Sequence, residues 1–388
     1  MFSKYQDKKV LRSLQKNPNW KLLKFSDVLR DETKNAKKIK KEEYLAQGSY
    51  PIIDQGKDYI AGFTNDREGV YDKSPLIIFG DHTRILKYID FPIFIGADGV
   101  KLLKNVFSEE EVLTKYIYYY LRTVNIPDTG YNRHFKFLKE VVIPIPNIYL
   151  QKRIVFVLDK AQEFIDKRKA QIEALDQLTQ SVFLEMFGDP VANKTWERRP
   201  LKDITDVRDG THDSPKYVPS GYPLVTSKNI KNGKIDLRNV NYISEEDFIN
   251  INKRSKVDIG DIIMPMIGTI GNPIIVDEQP NFAIKNVALI KFNNPCVINI
   301  YIKYLLNSHY LDYILNKNKR GGTQKFLSLT DIRNMEIPLP PRDLQAKFSE
   351  IVKKVDSQKA ILHKSLTELE NNFNSLMQRA FKGELFND

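Results

Sequence analysis

The chain has 388 residues, 60 of them Lys or Arg and 49 Asp or Glu, for a formal charge of +11, and 41% of its residues are apolar; this is enough hydrophobic material for two or three cored domains, which excludes a disordered chain, and the charge points to an anionic partner. Cys296 is the only cysteine, which excludes an internal disulfide and a thiolate metal cluster and suits a reducing cytoplasm. The first twenty residues carry charge throughout and the apolar stretches are broken by Pro or Gly well before about 18 residues, so neither export nor membrane insertion is expected.

A basic stretch with Lys4, Lys8, Lys9, Arg12 and Lys16 predicts a helical extension over residues 1–19, frayed or docked. A lobe over 20–146 opens with Trp20, Phe25, Asp27 and Val28. Strand-length apolar runs at 76–79 and 93–95 and a turn at Asp98-Gly99 follow, then a capping box of Ser108 with Glu111 before an aromatic helix, Tyr116-Ile117-Tyr118-Tyr119-Tyr120-Leu121, whose stripe reads as core. The lobe ends at a Pro-rich strap, Ile143-Pro144-Ile145-Pro146. From Leu150-Gln151 a long amphipathic helix is predicted over 147–190, with Leu158, Ile165 and Ile172 at seven-residue spacing and Ala161, Leu175 and Val182 in the companion register.

The same order then returns. Trp196, Leu201, Asp203 and Ile204 repeat the first opening and begin a lobe over 191–340. It contains a turn at Asp209-Gly210, a hairpin signal at Asn232-Gly233 between residues 225–230 and 234–237, apolar runs at 259–266 and 274–276, and a second aromatic helix, Tyr301-Ile302-Lys303-Tyr304-Leu305-Leu306. A second strap, Ile337-Pro338-Leu339-Pro340, leads through Leu344-Gln345 into a long helix over 341–388, marked by Val355, Leu362, Leu369 and Leu376 and flanked by Val352, Leu366 and Phe373. Arg168, Thr179 and Gln358 fall on core-type positions of these seams, which would lower stability but fix register or partner choice. The fold class that follows is α/β of the α+β kind: two mixed, mainly β lobes alternating with two long helices that pair as an antiparallel coiled coil.

Known catalytic and cofactor constellations are missing from this pattern. There is no phosphate loop, no dinucleotide glycine fingerprint, no nucleophile elbow and no Asn/Asp-Pro-Pro-aromatic loop of an amino-methyltransferase. His82, His134, His212, His309 and His363 are scattered without metal-ligand spacing. No catalytic residue, metal or cofactor is therefore expected in this chain. What the loops offer instead is a mixture of amides, hydroxyls and cations able to touch phosphates and base edges. In the first lobe these are Gln55, Lys57, Asn65, Arg67, His82, Arg84, Asn132, Arg133, His134 and Lys136. In the second they are Thr211, His212, Lys216, Ser227, Lys228, Asn229, Thr269, Asn272, Gln324 and Lys325, the last two following a basic helix end at Lys317, Lys319 and Arg320. Arg grips guanine with two hydrogen bonds, Asn or Gln does the same for adenine, and Lys supplies phosphate charge.

The duplicated order of openings at Trp20 and Trp196, straps, Leu-Gln helix starts and helices ending near Phe187 and Phe381 resembles the specificity subunits of type I restriction–modification systems over most of the chain. The stretch Asp209-Gly210-Thr211-His212, with Tyr222-Pro223-Leu224-Val225 and Ser227-Lys228-Asn229-Ile230, is similar to one class of target-recognition domain. The resemblance implies a non-catalytic, cytoplasmic prokaryotic protein of host defence whose lobes each read one half of a split, asymmetric duplex DNA target. It also implies helices that space the lobes and dock two modification subunits bringing S-adenosylmethionine, and restriction subunits bringing ATP and Mg. Independently, a helix from Gln151 to Phe187 rises roughly 1.5 Å per residue and spans on the order of 55 Å, the length of about 16 base pairs at roughly 3.4 Å each. The competing readings are a coiled-coil scaffold whose lobes bind protein, and a stand-alone DNA methyltransferase or nuclease, which the missing motifs disfavour.

Overall fold

The computed structural model describes residues 4–231, 233–267, 270–317 and 326–386. The chain divides into two units, residues 1–169 with 364–388 and residues 170–363. The first starts with α1 (Lys8–Lys16), where the Asp7 carboxylate accepts from the Lys9 amide at 2.8 Å. This helix is docked, since Leu11 and Leu14 are buried and Leu14 packs in the core with Trp20. There follow β1 (Trp20–Lys24), α2 (Phe25–Val28), β2 (Leu29–Asp31), β3 (Lys38–Ile39), β4 (Tyr50–Ile53), β5 (Gly62–Thr64), β6 (Leu76–Gly80), β7 (Leu86–Ile89), β8 (Phe94–Gly96), β9 (Val100–Asn105), α3 (Thr114–Arg122), α4 (Phe135–Leu138), β10 (Val142–Pro146) and the first part of α5 (Ile148–Phe187).

Three pairings organise this unit. An antiparallel sheet has the order β2-β9-β6-β7; a mixed sheet has the order β3-β8-β4-β5, with β4 parallel to β8; and β1 pairs antiparallel with β10, closing the lobe from Trp20↔Pro146 to Lys24↔Val142. β6 is an unbroken apolar run because it lies between β9 and β7 and all five of its residues are buried.

The second unit takes over within α5 and continues through β11 (Arg198–Pro200), α6 (Leu201–Ile204), β12 (Asp206–Asp209), β13 (Tyr222–Val225), β14 (Ile230–Lys231), β15 (Lys234–Ile235), β16 (Asn241–Ile243), α7 (Glu245–Ser255), β17 (Ile262–Pro265), β18 (Ile274–Ile275), β19 (Ala283–Ile284), β20 (Val287–Lys291), α8 (Asn299–Leu306), α9 (His309–Lys317), α10 (Leu329–Arg333), β21 (Glu336–Pro338) and the first part of α11 (Arg342–Phe381), whose last part belongs to the first unit. The sheet order β12-β20-β17-β18 repeats β2-β9-β6-β7, the parallel pair β13–β19 repeats β4–β8, and β11–β21 repeats β1–β10. The duplication read from the sequence is thus a duplication of topology, in two mainly β lobes with long helices.

It extends to single hydrogen bonds. The Tyr116 hydroxyl donates to the Pro144 carbonyl at 2.6 Å, and Tyr301 donates to Pro338 at 2.6 Å. Gln151, fully buried in the first turn of α5, accepts from the Leu113 amide at 2.9 Å and donates to the carbonyls of Glu111 and Pro146. Gln345 in α11 does the same with the Ile298 amide at 2.9 Å and the carbonyls of Cys296 and Pro340. The aromatic stripes are core, as expected: Tyr116, Tyr119, Tyr120 and Tyr301 are all buried.

Within each unit the start of one long helix runs antiparallel to the end of the other. In the first unit Lys169 pairs with Glu370 at 3.2 Å, and Leu158 and Ile165 share a core with Phe373, Met377 and Phe381. In the second, Lys359 pairs with Asp176, while Phe183 and Phe187 meet Phe348. Of the three polar seam positions, Thr179 is buried and donates to the Leu175 carbonyl at 2.8 Å, Arg168 is half-buried, and Gln358 lies on the exposed side.

Some local readings change. Ser108 and Glu111 form a turn before the helix rather than its cap; α3 begins at Thr114, whose amide donates to Glu109, because Gln151 already takes the Leu113 amide. The hairpin is reduced to β14 and β15, since the Thr226 and Asn229 side chains close a helical turn at Ser227–Asn229; Asn232 lies outside the described residues. The run at 259–266 enters the sheet only at Ile262, as Gly260 turns at φ +92°.

Replacing Gln151 or Gln345 by Leu strands a buried amide and two carbonyls in each case, at a cost of about 1–3 kcal/mol. The expected result is a clear fall in the urea midpoint for each variant and almost none for Gln180→Leu on the exposed side of α5; equal midpoints for all three would overturn the role given to the buried amides.

Candidate nucleic-acid interface

In the first unit the loop between β6 and β7, the turn into β9 and the segment after β4 lie at one end of the two sheets. Asp81 is the hub. Its amide donates to the Gly99 carbonyl, its own carbonyl accepts from the amide and Nδ1 of His134, and its carboxylate accepts from the Phe135 amide at 2.7 Å. Gln55 joins the assembly by accepting from the His82 amide at 3.1 Å, while its carbonyl accepts from the Thr83 hydroxyl. His82 Nδ1 lies 3.2 Å from the Asn132 carbonyl. Gln55, His82, Arg84, Asn132, Arg133 and His134 are therefore brought together, with exposed Lys57 and Lys136 at their borders.

Their roles differ. His134 is fully buried between Asp81 and Thr129, so it braces the loop and presents no side chain outward. Arg84, expected to meet DNA, sits at φ +63° and turns its guanidinium onto the Ile126 carbonyl and, at 2.6 Å, the Asp128 carboxylate; its charge is spent on holding residues 126–128. Asn65 and Arg67 lie at the opposite end of β4 from Gln55, where Asn65 accepts from Ser49, and are not part of the cluster. The side chains left facing outward are Lys57, Asn132, Arg133 and Lys136, with His82 half-exposed.

In the second unit the ends of β12, β13, β17 and β19 meet at one edge. Gly210 packs so closely there that a Cβ would stand 2.5 Å from the Ile284 carbonyl, so only glycine lets Thr211 pair with Lys285. The Asp209 carboxylate is buried and serves two donors: His212 Nε2 lies 2.7 Å from one oxygen and Arg254, from the last turn of α7, donates to the other. His212 Nδ1 faces the side-chain amide oxygen Oδ1 of Asn286 at 2.9 Å. The Asn286 bond first, and the Asp209 bond next, raise the His212 pKa above its ordinary value, against opposition from burial and Arg254. Thr211, His212, Ser227 and exposed Lys228 share this edge with Lys285 and Asn286, and Asn272 lies on the β17–β18 connection at the same end. Asn229 is buried, its amide donating to the carbonyls of Asp236 and Asn239, and so shapes the loop from within. Exposed Lys216 follows Ser214, which accepts from Lys285 at 2.6 Å. Thr269, Gln324 and Lys325, with Lys319 and Arg320, lie outside the described residues.

Three contributors were not foreseen. Arg254 reads in sequence as an ordinary basic end of a helix. Asp209 reads as a turn residue. Tyr131, at 87% exposure, belongs to no strand or helix period, and its only signal is the Gly130-Tyr131-Asn132 turn. Beside Thr211 and Arg254 a cleft of about 320 Å³ opens against Asp247 and Asn250 of α7. Among the described residues no group of three or more His, Cys, Asp or Glu side chains is placed to hold a metal ion, and no helix is long and apolar enough to cross a membrane.

Two copies of one α+β lobe, each with polar loops gathered at its sheet ends, define a tandem recognition protein. The family comparison agrees: the type I restriction modification DNA specificity domain matches residues 17–177 and again 193–371. The chain belongs to this family. It is 23% identical over 369 residues to the EcoR124I/EcoR124II specificity subunit of Escherichia coli, covering 89% of this chain and 88% of that one. It is 22% identical to the MjaVIII specificity subunit of Methanocaldococcus jannaschii, over 99% and 97%. The crystal structure of the type I S subunit from M. genitalium shares the fold with a TM-score of 0.52 at 18% identity, over 96% of this chain and 97% of that one. A chain from a structure of type I system assembly and conformational transition gives 0.53 at 17%, over 95% and 99%. The protein is thus a DNA-specificity component and not a catalyst, and such components act with DNA and with modification and restriction subunits.

A raised histidine pKa has a defined sign: stability from the charged form is complete below about 6.5 and is lost as pH rises through the higher folded value. Wild type should therefore exceed His212→Ala in urea midpoint at about pH 6, with the margin closing above neutrality. A margin constant from about pH 6 to 9 would show that the imidazole is not held charged.

Proposed function

We propose that each lobe reads one half of a bipartite, asymmetric duplex DNA target, the lobes being residues 20–146 and 191–340. The observation that supports this is one topology presented twice with different outward residues: Lys57, His82, Asn132, Arg133 and Lys136 in the first, Thr211, His212, Lys216, Ser227, Lys228 and Asn272 in the second. Equal folds with unequal contact residues read unequal sequences. Within the N-terminal extension, α1 packs on the first lobe through Leu11 and Leu14. The long helices, 147–190 and 341–388, dock two modification subunits; on α5 the exposed Tyr149, Phe156 and Phe164 recur at seven- and eight-residue steps, an apolar stripe of the kind a protein partner covers. S-adenosylmethionine comes with those subunits, ATP and Mg with the restriction subunits, and the assembly works in the prokaryotic cytoplasm.

The test is methylation of a randomised duplex library by the chain co-expressed with its modification subunit, each protein alone serving as control. A two-part asymmetric motif from the pair only is the expected outcome; methylation by this chain alone, or a single contiguous motif, would contradict the proposal. Lys228→Ala should weaken binding uniformly across sequences and reduce the slope of log affinity against log salt by about 1.

A further inference from the structure

Tyr131 is the most exposed large apolar side chain among the described residues. Its ring lies parallel to the His82 imidazole, with centroids 4.5 Å apart and planes within 6°. One face is thus backed by another ring and the other is open to solvent.

The loop that carries it is wired and not slack. Gly130 takes φ +74° with open space around its Cα, and its amide donates to Asp128 at 3.0 Å. Asp128 is fixed by Arg84, whose guanidinium also holds the Ile126 carbonyl. On the other side of the ring the Asn132 amide donates to the Gly130 carbonyl at 2.7 Å, its side chain donates to Thr129, and its carbonyl faces His82. Buried His134 supports Thr129 from below. An aromatic ring held in water on so constrained a loop is pre-ordered for a planar, apolar surface, because little freedom remains to be lost on contact.

The surroundings identify that surface. Arg133 and Lys136, both exposed, follow the ring two and five residues on in the chain and supply charge for a phosphate backbone. A flat apolar face bordered by phosphates is a nucleobase. We propose that Tyr131, backed by His82, is a stacking wedge that packs its open face on a base at a partly unstacked step of the half-site read by the first lobe. This rests on the DNA-reading role proposed above. Arg84 and His134 act through it as positioning residues.

The experiment uses the full chain with its modification subunit and duplexes carrying the motif found by library methylation, with 2-aminopurine placed at each position of either half-site in turn. Wild type should raise the fluorescence at one position of one half-site. Tyr131→Ala should abolish that signal and weaken binding about tenfold, in line with roughly 1–3 kcal/mol per stacked base, without changing the urea midpoint, as the side chain supports no core. Tyr131→Phe should retain both signal and affinity, since the ring and not the hydroxyl does the stacking. Lys136→Ala should weaken binding while keeping the signal. If Tyr131→Ala keeps wild-type affinity and fluorescence, the wedge is overturned while the DNA-reading role stands. If it instead loses co-purification with the modification subunit, Tyr131 is a protein contact and the wedge is likewise overturned. A wild-type complex with no sequence-selective binding would sink the reading beneath it.

Discussion

Two buried glutamines hold the architecture together. A primary amide deep in a protein needs partners for two donors and an acceptor, and any group left alone there costs about as much as a sizeable core truncation. Gln151 and Gln345 meet that requirement by joining the ends of three segments at once: the last carbonyl of the strap, the amide at the start of the aromatic helix, and the first turn of the long helix. Neither lobe can turn on the helix start that follows it without breaking these bonds. The tyrosine bonds to Pro144 and Pro338, two residues before the glutamine acceptors Pro146 and Pro340, keep the strap itself from peeling. Everything at the far end of the sheets inherits its placement from this joint.

Over that frame many charged groups are held in pairs. The depth of each partner differs from pair to pair: buried Asp209 lies beneath His212 and Arg254, half-buried Arg84 reaches out to exposed Asp128, and Lys291 is nearly buried between buried Asp261 and half-exposed Asp258. In the last group burial raises the Asp261 pKa, the ammonium opposing it. Pairing of this kind fixes direction more than it adds stability at exposed positions. The outcome is a surface on which some cations are committed and others, such as Arg133, Lys136 and Lys228, remain outward, and only the second kind contributes fully to attraction of a polyanion.

Much of the fold was legible because it rests on patterns that repeat within the chain. The straps, the Leu-Gln starts, the heptads and the aromatic helices all recur at matched spacing, and each is produced by local periodicity. Individual site residues were less legible, because direction is set by tertiary partners. Arg84 and Lys136 look alike in sequence, yet an Asp 44 residues away turns one inward. His134 and Asn229 carry the polar chemistry of readers but are consumed by backbone groups that no periodicity reveals. Asn65 and Arg67 were misplaced by strand length, since a four-residue strand moves them to the other end of the sheet. Tyr131 escaped notice because an aromatic outside any period looks like noise until its exposure is known.

The loop scaffolds lean heavily on main-chain acceptors: the Asp81 carbonyl for His134, the Gln55 carbonyl for Thr83, the Ile284 carbonyl for the Thr211 amide. A main-chain carbonyl is present whatever residue carries it. Outward positions such as 57, 133, 136 and 228 can therefore change to many amino acids while the loop path is kept, and each lobe can change without reference to the other. Such a division separates the groups that set the path of each loop from the groups that the loop turns toward solvent, so that one can change without the other.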